Sequence, residues 1–181
     1  EYKKPGRKEA ARRFMSELRS ALPDVPLALS SYRYPSLHPQ IPWTEFLSKC
    51  TLVMPQVYWL GAHNPGAQLT KTVREYQSRS SLPLIPTGAA FREHDWQPTV
   101  AEVQEFLQTA IALNLGAANF WEWGDVRSGI LPGVWEAIRD VSWGWPAADN
   151  RDITERFVEV LNTHDVEKIL EGIDTIVVTE C

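Results

Sequence analysis

The side chains best equipped for chemistry gather in one decad, Gly116-Ala117-Ala118-Asn119-Phe120-Trp121-Glu122-Trp123-Gly124-Asp125. Read as a strand, it puts Asn119, Trp121 and Trp123 on one face and Phe120 and Glu122 on the other, because successive side chains alternate. Gly124 and Asp125 then break the strand into a loop. Phe120 suits contact with helices, so the tryptophan face is the candidate for an opening. That parity points Glu122 away from the rings unless the strand has already ended before it. Glu122 is therefore a candidate catalytic acid only in the second geometry. Asp125, in the loop beyond, is a candidate binding residue or a cap for the next helix. Both tryptophans as plain core is the competing reading.

A second constellation lies in Thr51-Leu52-Val53-Met54-Pro55-Gln56-Val57-Tyr58-Trp59. Here Met54, Gln56 and Tyr58 point one way and Val53, Pro55 and Val57 the other. Gln56 and Tyr58 are polar groups turned inward near a carboxyl end, and buried polar groups need partners. Those partners are either an internal hydrogen-bond network or a ligand. A Gln–Tyr pair beside tryptophans suits hydroxyl-rich molecules, since sugars offer donors, acceptors and flat C–H faces together. Ser31 and Tyr32, after an earlier strand, fit the same mouth, and Trp59 completes the binding set.

Other chemistries find less support. His38, His63, His94 and His164 lie in four separate segments with no metal-ligand spacing, so no metal site is expected. His94-Asp95 reads as a solvated loop pair. No Gly-x-Ser-x-Gly elbow is present, and no glycine-rich phosphate loop follows a strand, so no cofactor is expected. Glycosidic hydrolysis normally uses two carboxyl groups straddling one bond, and no convincing inward pair stands out.

The elements that must position these groups alternate. An amphipathic helix over Gly6–Leu22 is followed by a strand over Val25–Ser30, a polar-aromatic loop from Ser31 and a short helix over Trp43–Ser48. A strand over Thr51–Trp59, a helix over Ala67–Ser78, a strand over Leu82–Thr87 and a helix over Pro98–Leu115 come next. The decad forms the fourth strand, and Pro132–Val141 forms a last helix. Four strand–helix units predict an α/β fold with a parallel sheet, equal to half of an eight-unit barrel. A doubly wound sheet fits the alternation equally well. After about residue 148 the pattern changes. Residues 149–181 read as a helical extension, either a linker or the start of a small α+β unit, with a strand beginning near Thr175–Thr179; the opening Ile153-Thr154-Glu155-Arg156-Phe157 with Leu161-Asn162-Thr163-His164-Asp165-Val166 resembles the start of a nuclear-transport-factor-like cone.

The 181 residues are 44% hydrophobic and 23% charged, the balance of a globular chain. Eight tryptophans suit ring stacking, though a large core uses them too. A net charge of −5 argues against a nucleic-acid surface. No run reaches the roughly 20 apolar residues of a membrane-spanning helix. Cys50 and Cys181 are expected as free thiols. The first residue is Glu1 rather than Met, which suggests a trimmed or partial chain; oligomeric state is left open.

These motifs resemble the second half of a (β/α)8 glycoside-hydrolase-type barrel, of the group that includes chitinase-like and lysozyme-like cell-wall hydrolases. Val53-Met54-Pro55-Gln56-Val57-Tyr58-Trp59 resembles the sixth strand and Asn119-Phe120-Trp121-Glu122-Trp123-Gly124-Asp125 the eighth. Pro26–Ser31 and Pro83–Thr87 resemble the fifth and seventh, so the likeness covers about residues 1–148 as the last four β/α units. The resemblance implies stacking of a polysaccharide or peptidoglycan strand on Trp121 and sugar contacts from Gln56 and Tyr58. It also implies a general acid at the end of the fourth strand, upstream of this chain, with Glu1 a remnant of that region. This chain alone would then lack catalysis, and the competing expectation is a non-catalytic carbohydrate-binding barrel. An extracellular or cell-wall location follows from the resemblance alone. Two departures stand out: Trp59 occupies the place where chitinase-like enzymes carry an Asp, and their Asp-rich fourth-strand motif does not occur.

Overall fold

The computed structural model of the chain describes Lys4, residues 7–143 and the strand at 176–179. Glu1 and the helices expected between residues 149 and 175 lie outside the described residues. The elements run α1 (Arg7–Ala21), β1 (Leu27–Tyr32), a 3-10 turn (Pro35–Leu37), α2 (Trp43–Leu47), β2 (Leu52–Val57), α3 (Pro65–Gln77), β3 (Thr87–Ala89), α4 (Val100–Ala112), β4 (Asn119–Trp121), α5 (Trp123–Arg127), α6 (Val134–Arg139) and β5 (Ile176–Thr179).

The strands form one sheet in the order β4-β3-β2-β1-β5, and every pairing is parallel. From β1 to β4 each new strand is added on the same side of the last. With the usual right-handed crossover, a sheet that grows one way carries all its connecting helices on one face. β5 is added on the other side of β1, the reversal of direction that a doubly wound sheet also makes. Burial follows suit: Val53, Pro55, Val57 and Trp59 are buried, whereas Met54, Gln56 and Tyr58 between them are only partly so. The parity read from the second strand therefore describes two unlike faces of β2, one buried and one partly covered, although Ala28, Ser30, Thr87 and Ala89 on the second side are buried as well.

The core fills the packed face. In α3 the buried Leu69, Thr72, Val73 and Tyr76 recur at three and four, and in α4 Val103, Phe106, Leu107 and Ala110 do the same. They meet Leu27, Leu29, Val53, Val57 and Trp59 from the sheet in one continuous cluster. Phe106 is the hub, its ring 5.3 Å from that of Trp59 and 5.5 Å from that of Phe120. Gly88 is where β3 lets this happen. A Cβ there would stand 2.6 Å from Phe120 and 2.9 Å from Phe106, so only glycine lets the two rings close over the strand.

Three expectations need correcting. β1 ends at Tyr32, two residues later than expected, so Ser31 and Tyr32 are strand residues and not the start of a loop. β3 begins at Thr87, where the third strand was expected to stop. Leu84 makes an isolated parallel bridge to Val53, but Pro86 has no N–H to continue the ladder, so regular pairing starts after it. The decad is extended only over Asn119–Trp121, and Trp123 opens the unanticipated helix α5. Trp123 thus leaves the strand face on which alternation placed it beside Trp121. Near the end of the chain, β5 pairs with β1 from Leu27↔Ile176 to Ser30↔Thr179, within the same sheet.

Candidate functional site

Register builds the site. Tyr32 lies opposite Gln56, Gln56 opposite Thr87, and Thr87 opposite Asn119. In a parallel sheet such partners project from the same face, so four polar or aromatic side chains form a row across β1 to β4, toward the strands' carboxyl ends. Two residues further along, on the same face, come Tyr58 after β2, Ala89 on β3 and Trp121 on β4. Trp121 is 59% exposed, so its ring stands clear as a flat platform beside the row. Tyr58 packs edge-on against Phe91, with centroids 5.2 Å apart, and burial pushes its phenol up to about 12. Near neutral pH it is a protonated hydroxyl able to donate.

The row is only partly satisfied from within. Gln56 Nε2 donates to Ser30 Oγ at 3.3 Å, a long bond. The Oδ1 of Asn119 is buried and has no hydrogen-bond partner.

Neighbouring elements pin this opening in place. The Arg33 guanidinium donates to the Tyr58 carbonyl, tying the end of β1 to the end of β2. The Tyr76 hydroxyl, from buried α3, donates to the Tyr32 carbonyl at 2.7 Å. Backbone bonds join Ala90 N–H to the Trp121 carbonyl and Glu122 N–H to the Ala90 carbonyl, and the Trp121–Glu122 peptide is cis. The loop after β1 is clamped separately by Glu75, which accepts from Ser36 N–H and Oγ–H, both at 2.8 Å.

The acidic residues of the decad have structural partners. Glu122 is the N-cap of α5 and accepts the Asp125 N–H at 3.1 Å. Asp125 in turn accepts the Arg92 N–H at 2.7 Å, linking α5 to the loop after β3. Trp123 is half exposed and meets Trp135 of α6 edge-on, with centroids 5.1 Å apart. Trp59 lies on the helix side of the sheet, 0% exposed, against Phe106 and Trp96. Ser31 also lies on that side, one residue out of phase with the row, and is buried. Tyr32 is on the open side, its ring stacked 3.7 Å from that of His38.

The geometry thus brings Tyr32, Gln56, Tyr58 and Trp121 to one face and sends Ser31 and Trp59 to the other. Thr87 and Asn119 join the open face although neither was a candidate. Alternation in the decad had already set Asn119 on the face of Trp121, without making it a binding residue; Thr87 was not legible, because its strand begins later than the sequence suggests. A cavity of about 340 Å³ between α4 and α6, lined by Gln104, Gln108, Glu136 and Asp140 among others, shares no residue with the opening. Among the described residues, no three His, Cys, Asp or Glu side chains come together as metal ligands would. No helix there is long and apolar enough to cross a membrane. No protein-family model and no curated protein matches this sequence.

Proposed function

We propose that this chain supplies the glycan-holding face of a sugar-active protein built like a (β/α)8 glycoside hydrolase, of which these strands would be the second half. The observation that carries the reading is the co-facial arrangement of Gln56, Tyr58 and Trp121: two polar groups beside an open ring, the combination a sugar's hydroxyls and C–H face require. The parallel order of β1 to β4, each added beside the last, supports the barrel element of the proposal, since a barrel is a parallel sheet of this kind closed on itself. The ligand would be a polysaccharide or peptidoglycan strand lying across the carboxyl ends of β1 to β4.

Binding without cleavage by the described residues is the second reading, and one observation favours it. Glu122 and Asp125 each hold a backbone N–H with one carboxylate oxygen, so both have a structural role in capping α5 and tying it to the loop after β3. On that reading, hydrolysis would require carboxyl groups from outside the described residues.

The test is retention of the chain on insoluble chitin, peptidoglycan and plant cell-wall glycans, with Trp121→Ala alongside. Retention on one of these should fall at least about tenfold in the variant, equivalent to ~1.4 kcal/mol. Equal retention of variant and parent chain, or no retention on any glycan, would remove the reading.

A further inference from the structure

A ligand touches only what the sheet exposes, and on the side of the polar row two rings stand out. Trp121 on β4 is 59% exposed and Tyr32 on β1 is 38% exposed, whereas Thr87 and Ala89 on β3 between them are buried. Register puts both rings on one side of the sheet, at opposite ends of the set β1 to β4. Tyr32 lies opposite Gln56, Gln56 opposite Thr87, and Thr87 opposite Asn119, two residues before Trp121. Three strand spacings separate β1 from β4, so the two residues stand roughly 14 Å apart across the sheet and roughly 6.5 Å apart along it. A single pyranose is too short to bridge that separation, but a linear chain of them running across the strands can. The Tyr32 ring is held firmly at its end of this path. His38 stacks on it with 3.7 Å between centroids and 21° between planes, and the Tyr76 hydroxyl fixes the Tyr32 carbonyl from below. Gln56 and Tyr58, both partly exposed, lie on β2 along the way.

We propose that Tyr32 is a second stacking platform, and that Tyr32 and Trp121 together select linear glycan strands long enough to cover both rings; this rests on the glycan reading above. A short sugar meets one ring at a time and gains one stacking contact. A chain that reaches both gains the second contact without again losing the freedom of a separate molecule, so its affinity rises with length. Once both rings are covered, further units add little. The ligand class is therefore a polymer lying across the strands of the sheet, and mono- and disaccharides bind weakly even where their chemistry matches.

The test is calorimetric titration of the parent chain, Trp121→Ala, Tyr32→Ala and Tyr32→Phe with a short and a long member of three series. These are chitobiose and chitopentaose, xylobiose and xylopentaose, and the disaccharide and hexasaccharide of the peptidoglycan strand. In one series the parent chain should bind the long member at least about tenfold more tightly than the short one. Tyr32→Ala should remove most of that preference, and Tyr32→Phe, which keeps the ring, should retain it. Should Tyr32→Ala fail to fold, Tyr32→Leu carries the same expectation, since it keeps an apolar side chain but no flat face. An unchanged preference in Tyr32→Ala or Tyr32→Leu, with binding lost in Trp121→Ala, would overturn the Tyr32 inference and leave the glycan reading standing. Equal affinity of the parent chain for short and long members would do the same, as would loss of the preference in Tyr32→Phe. No binding of any of these sugars by the parent chain would overturn both.

Discussion

Glu122, Asp125 and Glu102 are three carboxylates with backbone duties, and each marks the start of a helix. In the capping box of α4, Thr99 Oγ1 accepts the Glu102 N–H while the Glu102 carboxylate accepts from Thr99 N–H at 2.8 Å; His63 Nδ1 lies 2.6 Å from its other oxygen. Burial alone would raise the Glu102 carboxyl, but the Thr99 backbone and the His63 contact outweigh it and hold the group below its ordinary value. A depressed folded value means stability that is present above the unfolded carboxylate range and is lost as pH falls through the folded value. Urea unfolding followed from neutral to acid pH should therefore show a falling limb below the ordinary carboxylate range. In Glu102→Gln that limb should flatten, with about 1 kcal/mol already lost at neutral pH. A limb unchanged in the variant would place the acid sensitivity elsewhere. The sequence displays Thr99 and Glu102 at the right spacing for such a box, but its closure by His63 depends on a loop 39 residues away. Glu122 was legible as an acid near two tryptophans; its capping role was not, because that depends on where β4 stops.

The parity of β2 could be read directly, because alternation in Val53–Trp59 survives folding unchanged: one set is buried and the other half open. The last strand was harder. The apolar decad reads as continuous, yet pairing with the three-residue β3 leaves β4 only as long as its partner, and the Glu122 cap turns the next residues into helix. β3 was misplaced because Pro83-Leu84-Ile85-Pro86 looks like a buried apolar strand while two of its residues have no N–H to pair. What fixes the true β3 is the Phe120–Phe106 contact across Gly88. Gly88→Ala should destabilise the fold by about 1–3 kcal/mol through overpacking against two rings, measured as a lowered denaturation midpoint. Adding Phe120→Leu should recover part of that loss, since the two sites share one contact. Additive losses in the double variant would show that the ring does not confine residue 88.

For the molecule as a whole, strand order decides what the sheet can do. Growth in one direction from β1 to β4 places their connecting helices on one face and the polar row of Tyr32, Gln56, Thr87 and Asn119 on the other. Alternation of strands and helices was plain in the sequence; the direction of growth was not, because single and double winding share the same linear pattern. Register was equally hidden, and register is what aligns Gln56 with Asn119 across two strands. The central claim is that this aligned open face receives a glycan. It is tested most directly by following backbone amide resonances of the isotope-labelled chain during titration with the soluble oligosaccharide that it retains best. The account predicts saturable shifts clustered at Gln56, Tyr58, Thr87, Asn119 and Trp121, with the helices α3 and α4 unaffected. Shifts centred on the groove between α4 and α6, or none with any oligosaccharide, would contradict it.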